Sequence, residues 1–155
     1  MSRIFATSFL AFSLTATFAS PARAELTAWD QAKVTAIANQ LSEAAISLYS
    51  TFYKQGPPQL GSGQADDYRQ LKQEVRRIQS EAKELAGALG KGDGREDTVH
   101  IYENLMEIVR DARDHARRVF STKDVQDQAT RVRQLLNQIA PYYDPDAVPL
   151  QPAIR

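Results

Sequence analysis

Asp66-Asp67-Tyr68-Arg69-Gln70-Leu71-Lys72-Gln73-Glu74-Val75-Arg76-Arg77-Ile78-Gln79-Ser80-Glu81-Ala82-Lys83-Glu84-Leu85-Ala86-Gly87-Ala88-Leu89 is the most regular stretch of the chain. Tyr68, Leu71, Val75, Ile78, Ala82, Leu85 and Leu89 recur at alternating steps of three and four, which puts them on one side of an α-helix. Lys72, Glu74, Arg76, Arg77, Glu81 and Glu84 fall between them and read as a solvated face. A heptad of this kind buries its stripe against other helices crossing at a shallow angle.

The same spacing extends in both directions. Upstream, Val34, Ile37, Leu41, Ala44, Leu48 and Phe52 form one stripe between about Thr27 and Gln55. Thr27 and Asp30 have the spacing of a capping box, and Gly56-Pro57-Pro58 is expected to stop the helix. Downstream, the glycines from Gly90 to Gly94 break the chain before a third stretch, about Glu96 to Phe120, that turns Thr98, Tyr102, Leu105, Val109, Ala112, Ala116 and Val119 inward. Ser121 and Asp124 suggest a second capping box, followed by a stripe of Val125, Ala129, Val132, Leu136 and Ile139 that ends at Pro141. So short a turn predicts that the third and fourth helices are antiparallel neighbours. The fold expected is all-α: an up-down-up-down antiparallel four-helix bundle over residues 25–141, then an extended, Pro-containing C-terminal tail over 142–155.

Residues 1–24 carry a different signal. Met1-Ser2-Arg3 is a short basic start, Ile4 to Ala19 is an apolar run diluted by hydroxyls, and Ala22-Arg23-Ala24 has the small-x-small pattern of a cleavage site. The segment reads as a signal peptide cleaved after Ala24, which places the mature chain in the periplasm or outside the cell. No later run is apolar and long enough to span a membrane.

Composition narrows the function classes. The chain has 19 basic and 19 acidic residues; Arg3 and Arg23 leave with the signal, so the mature 131 residues carry a net charge of −2. That balance gives no long-range attraction for a phosphate backbone, and no nucleic acid partner is expected. The absence of cysteine excludes disulfides, a thiolate nucleophile and thioether-linked haem. Leu60-Gly61-Ser62-Gly63 lacks the first glycine of an esterase elbow, and Gly90 to Gly94 lacks the Lys-Ser/Thr of a phosphate loop, so both read as linkers and no enzyme is expected.

In number and order of helices, Leu26 to Ile139 resembles the exported b- and c-type cytochromes built as four-helix bundles. The c-type family places Cys-x-x-Cys-His near its C-terminus, where this chain has Asn137-Gln138-Ile139-Ala140-Pro141. The methionine near the start and the histidine in the final helix that mark the b-type pattern are also missing. No haem or other cofactor is therefore expected.

Three groups of residues are candidates for binding. Ile46, Tyr49 and Tyr53 give the first helix a second apolar strip, suited to contact with another copy of the chain or another envelope protein, or to cover by the C-terminal tail. Glu96, His100 and Glu103 align on the outer side of the third helix, where carboxylates around an imidazole can hold a divalent ion. A solvated acidic face is the plainer reading of the same residues, and His100 and His115 both point away from the inward stripe. Arg110, Arg113 and Arg117 align on one flank of the third helix and offer an anion contact, or pair with acids on a neighbouring helix. Taken together, the sequence predicts an exported, non-enzymatic binding or interaction protein of the bacterial envelope, with a periplasmic metal or cofactor carrier as the alternative.

Overall fold

A computed structural model describes residues 26–55 and 62–151, except for the side chains of Ser62 and Gly63. The expected signal segment, its expected cleavage site and the expected helix stop at Gly56-Pro57-Pro58 lie outside the described residues. Within them the chain forms four helices and no strand: α1 (Gln31–Gln55), α2 (Ser62–Gly90), α3 (Arg95–Ala116) and α4 (Lys123–Ile139), with a 3-10 turn over Ala140–Tyr142. None of these helices is long and apolar enough to cross a membrane.

The stripes of α1 and α2 are buried in full, Val34, Leu41, Ala82 and Leu85 completely so. Phe52 stacks on Tyr68, with ring centroids 5.4 Å apart. Cross-links between helix ends set the directions. Gln31, at the start of α1, donates through Nε2 to the carbonyls of Leu89, in the last turn of α2, and of Asp93, just past its end. Gln64, at the start of α2, donates to the Arg118 carbonyl just past α3. Gln55, at the end of α1, accepts from the Thr122 N–H and hydroxyl just before α4. Helices that pack together therefore run in opposite directions. Gly92 closes the α2–α3 turn at φ +97°, a conformation that favours glycine.

Two expectations about caps are corrected. Asp30, not Thr27, caps α1: its carboxylate accepts the Lys33 N–H at 3.0 Å. Thr27 is occupied elsewhere, its N–H on the Pro141 carbonyl and its own carbonyl on Arg95 Nη2. At α4 the N-cap position is Thr122, and its hydroxyl serves Gln55 instead of the helix start.

The pairing of α3 with α4 is also corrected. The helices packed closely on each other are α1 with α2, α2 with α3, and α1 with α4; α3 and α4 stand apart. What separates them is the chain beyond α4. Tyr143 inserts at one end of the seam, stacked on Tyr102 at 4.4 Å and hydrogen-bonded to the Thr98 hydroxyl at 2.8 Å. Trp29 meets the edges of both Tyr142 and Tyr143. Burial raises the Tyr102 phenol to about 12 and pushes Tyr143 up as well, so both rings stay neutral in this cluster. The chain then doubles back along α4: the Leu150 N–H donates to Asn137 Oδ1 at 2.9 Å, and Asn137 Nδ2 donates to the Leu150 carbonyl at 3.4 Å.

Candidate binding cleft between the third and fourth helices

The apolar residues of α3 and α4 that line their seam are alanines and valines. Ala112 and Ala116 on α3 look toward Ala129 on α4, and alanines on both sides leave volume that no neighbouring side chain fills. Val109 and Ala116 are only half buried and Ala129 is exposed, although the apolar spacing placed all three inward. These three line the same void. It is an open cavity of about 380 Å³ that reaches Leu48 and Phe52 on α1 and Leu71, Val75 and Ile78 on α2. Pockets for small ligands span about 300 to 1,000 Å³ and are mostly apolar with a few placed polar groups, a description this cavity meets.

Its charged groups are cationic, beside the neutral Ser121, Gln126, Thr130 and Gln151. Arg113, Arg117 and Arg133 line it, and no carboxylate does so among the described residues. Arg117 has a long, exposed contact with Asp114 at 3.7 Å, which is worth little. Arg113 and Arg133 make no ion pair among the described residues. Arg113 Nε is buried and lacks a hydrogen-bond acceptor among them. A buried donor without an acceptor carries a desolvation cost of about 1–3 kcal/mol, which an anion at that spot would relieve.

A broader groove of about 980 Å³ lies on the far side of the returning chain, and Arg113, Leu150 and Gln151 border both spaces. There the charges offset one another: Arg110 and Arg113 share the walls with Glu103, Asp114, Asp144 and Asp146. The arginine row of α3 is thus divided. Arg110 faces the mixed groove, Arg117 the apolar cavity, and Arg113 the junction.

Glu96, His100 and Glu103 are all exposed on α3. No cluster of three or more His, Cys, Asp or Glu side chains suited to a metal ion occurs among the described residues. On α1, Ile46 is 43% exposed while Tyr49 and Tyr53 are half buried, their ring centroids 4.1 Å apart. Lys72 of α2 sits over the Tyr53 ring at 4.6 Å, and burial leads the effects that raise the Tyr53 phenol. The described part of the C-terminal chain packs into the α3–α4 seam and leaves this strip uncovered.

Two features escaped the sequence reading. Glu74 belongs not to a solvated face but to the α2–α3 contact, where it is 8% exposed and approaches His115 Nδ1 at 2.8 Å. Glu74 Oε2 has no partner among the described residues. Burial raises the Glu74 carboxyl despite the opposing influence of His115. The second feature is Arg133, whose position at the cavity depends on the separation of α3 from α4. The run of alanines at 112, 116 and 129 was the available sign of that void.

Ser121 and Thr130 contribute hydroxyls to the lining, which includes no His, Cys, Asp or Glu among the described residues. Compared with known proteins, the chain matches no family model, no curated protein and no solved structure.

Proposed function

We propose that the chain is an exported, non-enzymatic binding protein of the bacterial envelope, and that it takes an apolar small molecule into the cavity between α3 and α4. The observation that carries this reading is the void itself: about 380 Å³ lined by core side chains of all four helices and left open at one seam. Each empty face of such a void forgoes the dispersion contacts that a packed core has, and an apolar guest restores them. The signal-like residues 1–24 support the envelope assignment, with Glu25 as the expected first residue of the mature protein.

The test uses phenylnaphthylamine, a neutral fluorescent probe whose emission rises in apolar surroundings. The folded mature protein is expected to bind one probe per chain, and Ala129→Phe, which puts a ring at the cavity mouth, is expected to weaken binding at least tenfold. Near-ultraviolet circular dichroism checks that the variant keeps its aromatic packing. Absence of probe binding, or binding indifferent to Ala129→Phe, would overturn the reading.

A further inference from the structure

We propose that the ligand is a single-chain fatty acid, its carboxylate held by Arg113 with Arg117 and Arg133, and its acyl chain lying along Val109 and Ala116 toward Phe52. This inference rests on the binding reading above and adds the chemical class of the ligand. Three observations on different atoms converge on it.

The first is volume. An apolar cavity of about 150 Å³ holds a benzene, so by proportion about 380 Å³ has room for roughly fifteen carbon atoms. That suits a medium-length acyl chain and is too small for a two-chain lipid. The second is charge. Three arginines and no carboxylate line the cavity among the described residues, whereas the neighbouring groove mixes both signs. In a chain whose mature net charge is −2, this is a local excess of positive charge at the mouth of an apolar space. The third is the unpartnered Arg113 Nε, buried where cavity and groove meet. A guanidinium engages a carboxylate through two parallel N–H donors, and removal from bulk water strengthens the pairing.

The arrangement separates head from tail. Arg113, Arg117 and Arg133 lie along the seam between α3 and α4, while Leu48, Phe52, Leu71 and Val75 come from α1 and α2 behind it. An anionic head at the seam and a hydrocarbon chain directed inward satisfy both sets at once. A neutral alcohol of the same length can accept one hydrogen bond from Arg113 but brings neither the charge nor the paired oxygens of a carboxylate, and a short anion leaves the apolar walls empty.

Calorimetric titration of the full mature chain with dodecanoate, dodecanol and acetate tests the assignment, alongside displacement of bound phenylnaphthylamine. Dodecanoate is expected to bind one per chain and displace the probe, with dodecanol at least tenfold weaker and acetate undetectable. Arg113→Gln is expected to weaken dodecanoate at least tenfold and the neutral probe by a much smaller factor. Arg113→Lys, which keeps the charge and loses the paired donors, is expected to fall between. If the probe binds but dodecanol matches dodecanoate, or Arg113→Gln changes nothing, the fatty acid assignment is overturned and the apolar cavity stands. If neither probe nor amphiphile binds, both readings are overturned.

Discussion

The seam between α1 and α2 and the seam between α3 and α4 are built from the same apolar spacing, yet one is closed and the other is open. Across the first, leucines, a phenylalanine and a tyrosine meet, with Phe52 and Tyr68 stacked and Leu85 wholly buried. Across the second, Ala112 and Ala116 of α3 share the lining with Ala129, Val125 and Val132 of α4, and the space is divided between a returning length of chain and a cavity. Periodicity selects the face that turns inward, while side-chain volume decides whether the faces meet. A seam of small residues pulled together would void its polar neighbours of solvent for little apolar gain. With Tyr143 packed on Tyr102 and Thr98 at one end, the seam stays open beside it.

The sharpest test of that contrast applies one truncation to both seams. Leu85→Ala removes a side chain that is fully enclosed and is expected to destabilise the protein by about 3 kcal/mol. Leu150→Ala removes a half-buried side chain at the edge of the open seam and is expected to cost less than about 1 kcal/mol. Denaturant unfolding monitored by circular dichroism reads both values. Equal losses would mean that the two seams are packed alike.

Asn137 tests what keeps the second seam occupied. Its side-chain amide pairs with both the N–H and the carbonyl of Leu150, much as a strand pairs with its neighbour. Asn137→Ala is expected to cost about 1 kcal/mol, because the freed backbone groups regain water at this partly exposed site. Amide exchange at Leu150 should quicken markedly while that at Leu85 keeps pace only with the loss of global stability. Unchanged protection of Leu150 would show that the returning chain is held by other contacts.

These differences also mark how far the sequence could be read. Every residue of the α2 heptad, from Tyr68 to Leu89, is buried as its spacing predicts, and so is the α1 stripe from Val34 to Phe52. A long helix with large apolar residues on one side has few ways to pack, so local pattern and tertiary structure agree. Val109, Ala116 and Ala129 fail because their burial depends on a partner helix that stands away, a property of the whole assembly. The wedge that holds it away, Tyr143 on Tyr102 and Thr98, joins residues more than forty positions apart with no shared periodicity. Of the candidate site, Arg113 and Arg117 are legible in the sequence as a basic row; Arg133 and the cavity they border are not.

Glu74 provides the smallest and most specific test, because it is a polar fault inside a closed seam. Its carboxyl is buried between α2 and α3, with His115 and Arg77 favouring the ionised form and burial and Asp111 opposing it. Burial prevails, so the folded chain holds this proton to higher pH than the unfolded chain does. As pH rises through the ordinary carboxylate range, the unfolded state releases its proton first and gains relative to the native state. The native state therefore loses stability over that interval, and the loss is complete once pH exceeds the raised native value. Glu74→Gln removes the titration while keeping the shape. Its stability relative to the wild type is expected to rise with pH across this window and then level off, as read from denaturant midpoints taken from acid to neutral pH. A difference that stays constant with pH would show that the His115 contact fully offsets burial, and that this seam is as settled electrostatically as it is in its packing.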